Sequence, residues 1–285
     1  MAVLGHRSVT RVGYGAMQLD RLHRDRAAAV KVVRRAVELG VDHIDTAQFY
    51  GTGFSNEVIR EALGATDDVV IVSKVGRDPD APGLNPIRLA QRPEQLRASV
   101  LQNLDALGLD CIPVVNLRRL DVGRFTGAPS DQIVDVDDQL AEMVAMRDEG
   151  LIGAIGLSTV TADILCQAIP AGIVCVQNAY SLTDRVDEAL VELCRAEGIA
   201  WVPYFPLGGA FAGARKVTDE PTVQATAAEL GVTAAQVGLA WLLRHSPNTL
   251  LIPGTSSIEH LEANMAAGSV TLTDEMMGQL QAVSS

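Results

Sequence analysis

Val41-Asp-His-Ile-Asp-Thr-Ala-Gln-Phe-Tyr-Gly51 is the stretch from which the organisation of the chain can be read. Residues 43–47 are mostly apolar and follow a helix-like run that ends at Gly40. They read as a short buried strand whose end delivers Asp45. Tyr50 follows in a loop closed by Gly51, and a second apolar run, 69–72, delivers Lys74 at its own end. An acid, a phenol and an amine at the ends of neighbouring strands suggest one pocket. An ammonium beside a phenol favours loss of the phenolic proton, and a carboxylate keeps the ammonium charged and in place. A phenol placed in this way is a general acid for an alkoxide forming from a carbonyl. The same residues also suit a plain ion pair beside a loop tyrosine, and spacing alone does not separate the two.

Working outward, the pattern of that stretch recurs. Residues 2–11 suggest a small hairpin around Gly5, and 12–17 a first strand carrying Gly13 and Gly15. Glycine inside a strand marks close approach of a neighbour or a ligand. Gly13-Tyr-Gly15-Ala-Met-Gln18 lacks the third glycine of a dinucleotide fingerprint. Strands are then expected at 43–47, 69–75, 111–117, 153–158, 173–178, 200–205 and 249–253. Helices are expected between them at 25–39, 55–64, 93–107, 137–149, 161–169, 184–197, 221–230, 233–244, 257–266 and 273–283, with a Pro- and Gly-rich loop over 76–92. Eight non-alternating strands, each followed by a helix, are what buried parallel strands look like in sequence. In 285 residues they favour a (β/α)8 TIM barrel, forming one α/β domain over 1–285, above an open sheet. No repeat or linker divides the chain. Active groups of such a barrel sit at the carboxyl ends of its strands, where Asp45, Tyr50, Lys74, Asn116, Ser158, Gln177, Asn178 and Tyr204 fall.

Composition narrows the classes. Hydrophobic residues make up 48%, enough for a large core, and the net charge of −12 comes without the basic stripe of a nucleic-acid binder. It would also be repelled by an anionic membrane. There is no apolar leader and no transmembrane-length apolar run, which points to the cytoplasm. Cys111, Cys166, Cys175 and Cys194 lie in or beside apolar runs without Cys-x-x-Cys spacing, and read as reduced core residues. No His-Glu-x-x-His or similar ligand spacing occurs, so no catalytic metal is expected. Hydrolase elbows and phosphate-binding Gly-Lys loops are absent too. His43 reads as a satisfied core histidine, and His6, His23 and His245 as surface or loop residues.

Six motifs together resemble the aldo-keto reductase family. They are Asp45-Thr-Ala-Gln-Phe-Tyr50-Gly, Ile71-Val-Ser-Lys74, Gly156-Leu-Ser158, Val176-Gln177-Asn178, Pro203-Tyr204-Phe-Pro-Leu-Gly208 and Ile252-Pro-Gly-Thr-Ser-Ser257. The likeness spans nearly the whole chain in order. It implies a (β/α)8 barrel that transfers hydride from a nicotinamide cofactor to an aldehyde or ketone. Tyr50 then resembles the proton donor, Lys74 its partner and Asp45 the carboxylate that orients the lysine. Ser158 and Gln177 match positions that hold the nicotinamide carboxamide, and Tyr204 the aromatic on which the ring stacks. Loop 206–211, including Pro206, Leu207 and Gly208, matches the pyrophosphate segment. Residues 254–264, with Gly254, Thr255, Ser256, Ser257, His260 and Asn264, match the adenosine end.

Three departures stand out. The fourth catalytic position, usually histidine, is Asn116, whose amide donates a hydrogen bond but takes up no proton. Thr159 stands where asparagine is common. Gly254 and His260 replace a lysine and an arginine that often grip the 2′-phosphate, with Glu259 and Glu262 adding negative charge. NADP follows from the family, with NAD open. The Val114-Val-Asn-Leu-Arg118 run also resembles a bacterial subgroup that includes pyridoxal reductases. The expected activity is thus NAD(P)H-dependent, metal-independent reduction of a small-molecule carbonyl. The rival is a cofactor-binding regulatory protein with a weakened site.

Overall fold

The computed structural model describes residues 1–64, 68–80, 87–123, 127–209 and 213–283. Strands β1 (Ala2–Leu4) and β2 (Arg7–Val9) form an antiparallel hairpin. Its Leu4 and Val9 are buried in one cluster with Val70, Val72, Val114, Ala154, Cys175, Ala200, Val202, Leu250 and Ile252. The hairpin therefore plugs the amino end of a parallel sheet in the order β10 (Ala200–Trp201), β9 (Ile173–Gln177), β8 (Ile155–Ser158), β7 (Val114–Arg118), β5 (Val70–Pro79), β4 (His43–Asp45) and β3 (Tyr14–Gly15). Residues 248–254 bring the two ends together. Leu250 N–H donates to the Trp201 carbonyl at 2.8 Å on one side, and Gly13 N–H to the Leu251 carbonyl at 2.8 Å on the other. The expected eight-stranded barrel is present, although its eighth strand reduces to isolated bridges. The strand expected over 200–205 is regular only at Ala200–Trp201, after which Tyr204 bridges Ala179. Pro203 and Pro253 supply no N–H to a ladder, which limits both segments.

Helices α1 (Arg26–Glu38), α2 (Phe54–Ala62), α3 (Pro93–Leu107), α4 (Val136–Asp148), α5 (Ala162–Ala168), α6 (Glu188–Ala196), α7 (Pro221–Leu230), α8 (Ala234–His245), α9 (Ile258–Ala266) and α10 (Asp274–Gln281) surround the sheet. Helix α1 buries one face through Val30, Val33 and Ala36, and the Asp25 carboxylate caps its first turn by accepting from Ala28 N–H. Helix α6 begins four residues later than expected. Residues 181–184 form a turn instead, in which Asp184 N–H donates to the Ser181 carbonyl at 3.1 Å.

One sequence expectation fails outright. The segment 76–92 is not a plain loop, because β5 runs on to Pro79 and pairs antiparallel with β6 (Ile87–Ala90); residues 81–86 of it lie outside the described residues. Gly76 permits this extension. It sits at φ +101°, and a Cβ there would lie 2.1 Å from the Arg118 carbonyl oxygen, so only glycine lets the strand bend over β7. The hairpin stands above the carboxyl rim and adds Arg77 and Ile87 to it.

Gly13 and Gly15 also mark close approach. A Cβ at Gly13 would fall 2.3 Å from the His43 ring, and one at Gly15 2.5 Å from the Ile252 carbonyl oxygen. Gly13 thus admits a buried side chain, whereas Gly15 lets two backbones close the barrel.

Candidate active site

Strands β4 and β5 pair in parallel, and each presents a charged side chain to the interior, Asp45 at the end of β4 and Lys74 near the end of the parallel part of β5. The two meet: Lys74 Nζ donates to Asp45 Oδ1 at 2.5 Å and to the Thr46 carbonyl at 3.0 Å. Both side chains are only 4% exposed. Burial disfavours the ammonium, but Asp45 and then Tyr50 outweigh it, so Lys74 stays charged and titrates above an ordinary lysine. Asp45 is held from its other side, where Gln177 Nε2 donates to Oδ2 at 2.7 Å. Lys74 Nζ lies 5.1 Å from the centre of the half-buried Tyr50 ring.

Tyr50 owes its place to the loop between β4 and α2. A buried polar network anchors that loop from behind. Thr46 Oγ1 donates to Asn56 Oδ1 at 2.7 Å, and Asn56 Nδ2 donates to Gln48 Oε1 at 2.7 Å and to Asn103 Oδ1 at 3.0 Å. Ser73 Oγ completes it through Asn103 Oδ1 at 2.6 Å. These supports went unread in the sequence. Their one signal is polar residues, Asn56 and Asn103, on otherwise buried helix faces. Among the described residues, three non-glycine residues take left-handed backbone, Thr52 (φ +56°), Thr159 (φ +60°) and Phe205 (φ +54°). Each follows a site residue, Tyr50, Ser158 or Tyr204, within two positions. Such backbone costs on the order of 1–2 kcal/mol per residue and persists where the surrounding structure fixes it.

A cavity of about 730 Å³ opens over the Lys74–Asp45 pair. Of the residues singled out in the sequence, Asp45, Tyr50, Lys74, Ser158, Tyr204, Pro206, Leu207, Gly208, Gly254, Thr255, His260 and Asn264 line it. Asn116, Gln177, Ser256 and Ser257 do not. Ser257 caps α9, its Oγ accepting from His260 N–H at 3.4 Å. Asn116 is fully buried over Gly156, where a Cβ would sit 2.0 Å from Oδ1. Cys175 Sγ donates to Asn116 Oδ1 at 3.2 Å, while the Asn116 Nδ2 amide has no partner. Thr159 takes up a contact with the ring position, its Oγ1 lying 3.3 Å from the Tyr204 hydroxyl. Glu262 is neutralised by Arg35 at 2.7 Å, which removes part of the negative charge expected beside the 254–264 segment. Residues 210 and 211 of the expected pyrophosphate loop lie outside the described residues.

The structure adds groups to this wall that the sequence did not single out: Met17, Gln18, Asp20, Phe49, Arg77 and Arg118. Tyr14 also emerges as a support, its buried hydroxyl donating to the Thr255 carbonyl at 2.7 Å and fixing the 254–257 turn. Several side chains differ from expectation. Cys111 and Cys166 are exposed, Cys111 in the bend ahead of β7 and Cys166 on the outer side of α5; Cys175 and Cys194 are the core residues. His43 is buried but half satisfied, with Nδ1 3.3 Å from Asp42 and Nε2 unpartnered. His245 is not a surface residue. It is half-buried at the carboxyl end of α8, where it stacks on Trp241 at 4.6 Å and pairs with Glu188 at 2.7 Å. No cluster of three or more His, Cys, Asp or Glu among the described residues is placed to hold a metal ion. No single helix among them is long and apolar enough to cross a membrane.

A parallel α/β barrel with a buried lysine–carboxylate pair under a rim tyrosine defines the class, a (β/α)8 oxidoreductase. The chain belongs to the aldo/keto reductase family, whose sequence model matches residues 11–285. It is 44% identical to the pyridoxine 4-dehydrogenase of Escherichia coli K12, over 99% of this chain and 97% of that protein. Among solved structures it resembles a thermostable aldo-keto reductase bound to epalrestat, with a TM-score of 0.81, 28% identity and 98% coverage of both chains. It also resembles an aldo/keto reductase from Klebsiella pneumoniae in complex with NADP and acetate, with a TM-score of 0.79, 26% identity and coverage of 98% and 93%.

The ion pair yields a stability test. Removing one member leaves the other charge buried without its partner, at a cost of about 3–5 kcal/mol. Lys74→Met and Asp45→Asn should each lower the urea midpoint clearly. The double variant should recover much of the loss, because it leaves no lone charge. Additive losses in the double variant would mean that the two side chains are not energetically coupled.

Proposed function

We propose that the protein reduces an aldehyde or ketone to its alcohol with NADPH, with Tyr50 delivering the proton to the carbonyl oxygen. The observation that carries this is the buried Lys74–Asp45 pair coupled to Tyr50 on the wall of one cavity. The cavity wall and the groups directly behind it fit a nicotinamide dinucleotide. Gln177 Oε1 is a buried acceptor without a partner, next to Ser158 across the β8–β9 ladder, as a carboxamide N–H₂ requires. Tyr204, Pro206, Leu207 and Gly208 line the cavity between that point and the Thr255–Asn264 end. When bound, the cofactor supplies the hydride. Everything else is done by the chain. Tyr50 holds the proton at its Oη. Lys74 stabilises the phenolate left after transfer, and Asp45, clamped by Gln177, keeps Lys74 charged and in place. In the reverse direction Tyr50 acts as base. NADP is supported by the Klebsiella relative's complex, with His260 and Asn264 on the wall and Ser256 and Ser257 beside them as the groups to meet a 2′-phosphate. The likeness to a pyridoxine 4-dehydrogenase supports a pyridoxal-type aromatic aldehyde as substrate.

Tyr50→Phe keeps the ring and removes the proton donor. Turnover of a good aldehyde, pyridoxal among those screened, should fall by about 10²-fold or more, while cofactor affinity by fluorescence titration holds. Near-normal turnover would remove Tyr50 from its role.

NADPH should bind more tightly than NADH, and the margin should narrow as salt rises, because a 2′-phosphate contact is electrostatic. Equal dissociation constants at low salt would rule out a phosphate-specific end.

Asn116 enters as a donor to the carbonyl oxygen through its unpartnered Nδ2. Its full burial and absence from the cavity wall support the competing role of a core amide. Asn116→Ala should slow turnover by about 10²–10³-fold, as for loss of one oxyanion donor, without moving the pH inflection of the rate. An unchanged rate would make the amide structural.

A further inference from the structure

Arg77 and Arg118 stand together on the cavity wall, half-buried, one on each of the paired strands β5 and β7. Both guanidiniums pack on the Phe49 ring, with centres 5.5 and 5.6 Å from its centroid. Phe49 in turn meets Tyr50 edge-on at 4.9 Å. The two cations therefore flank the Tyr50 end of the cavity.

Neighbouring arginines show what is missing here. Arg88 lies 3.6 Å from Asp78, and Arg119 pairs with Asp121 at 2.7 Å. Arg77 and Arg118 pair with no carboxylate among the described residues, and Arg118 Nε is buried without any partner. The remaining acids of the wall are engaged or remote. Asp45 is held by Lys74 and Gln177. Asp20 lies against Gly51 and is 3.9 Å from His23, and it makes no ion pair with either arginine among the described residues. In a chain of net charge −12, two adjacent cations facing a cavity without a counter-charge are an anion-binding arrangement.

We infer that Arg77 and Arg118 receive an anionic group of the substrate, so that the preferred substrate is an aldehyde carrying a carboxylate or phosphate at the end remote from its carbonyl. This rests on the carbonyl reduction proposed above. Planar guanidiniums grip either anion through paired N–H···O bonds, and the anion would relieve the repulsion between them. That repulsion is felt in the free protein. Burial and then Arg118 pull the Arg77 guanidinium below its ordinary range, with only Tyr50 opposing. Arg77 is within electrostatic reach of Tyr50, so an anion held there lies on a molecule whose carbonyl meets the phenol.

Matched aldehydes test the pair. 4-Carboxybenzaldehyde against 4-methylbenzaldehyde varies the carboxylate at similar shape, and 4-formylphenyl phosphate against 4-methoxybenzaldehyde varies the phosphate, each anion lying para to the carbonyl. The wild type should favour the charged member of at least one pair by about tenfold or more in kcat/KM, the worth of charge-assisted hydrogen bonds. Which pair shows the preference identifies the anion. Arg77→Gln and Arg118→Gln should each lower that ratio, chiefly through KM, and together bring it near one; added salt should lower it in the wild type. No preference in either pair, or a preference that survives the double variant, would overturn the assignment. So would a loss of NADPH affinity in the double variant with the substrate ratio unchanged, which would give the arginines to the cofactor. If no aldehyde is turned over, carbonyl reduction itself fails, and calorimetric titration with benzoate and phenyl phosphate still decides the arginines. Binding lost in the double variant supports the anion site, and equal or absent binding in both proteins overturns it.

Discussion

A lysine ammonium taken out of water is tolerable only when an anion and hydrogen-bond acceptors replace the solvent, and much of this rim is arranged around that requirement. Lys74 is satisfied by Asp45 and the Thr46 carbonyl, and Asp45 by Gln177. Three strands, β4, β5 and β9, are thereby fixed relative to one another at their carboxyl ends by contacts that span 132 residues of sequence. The pair is a modest source of stability at best. In the proposed reaction its value lies in holding a positive charge at a fixed point near Tyr50, in a low-dielectric setting where that charge would act strongly on a phenol.

The tyrosine is on a loop, and loops are seldom accurate carriers of chemistry unless supported. Here the support is polar and buried. Asn56 and Asn103 convert the space between β4, β5, α2 and α3 into a hydrogen-bonded bracket for residues 46–48. Beyond the bracket, Thr52, Thr159 and Phe205 accept left-handed backbone at three places around the rim. A turn carrying a β-branched or aromatic residue at positive φ is less stable in isolation than one carrying glycine, so these conformations are held by the barrel rather than by local preference.

Charge is distributed unevenly. The outer surface carries the excess of acids, whereas the cavity wall carries Lys74, Arg77 and Arg118. The Asp45 carboxylate answers Lys74, and the Phe49 face together with the β5–β6 hairpin positions the arginines. A negatively charged ligand thus meets repulsion from the general surface and attraction only within the cavity, which favours specificity over non-selective adhesion.

Much of this was legible from residue order alone. Apolar runs of strand length separated by helical periodicity specify a parallel barrel, since each run must be covered on both faces. The residues just beyond each run must then lie on a common rim, and Asp45, Tyr50, Lys74, Ser158 and Tyr204 do. What periodicity does not encode is where a ladder continues past a glycine, or which side-chain atoms find partners. The segment 76–92 reads as a loop because its prolines and glycines outnumber its strand formers, yet Gly76 lets β5 bend across β7, and pairing with β6 carries Arg77 over the rim. Asn116 falls near the end of β7, but the absence of a side chain at Gly156 makes room for its amide oxygen there, and the residue is fully buried. Gln177 similarly matches a carboxamide-binding position in order, and only three-dimensional packing turns its amide N–H onto Asp45. Local sequence determined the elements and the rim on which the chemistry stands. Contacts between residues far apart in the chain decided which of those groups face the cavity, because hydrogen bonds and burial are satisfied across strands and not along them.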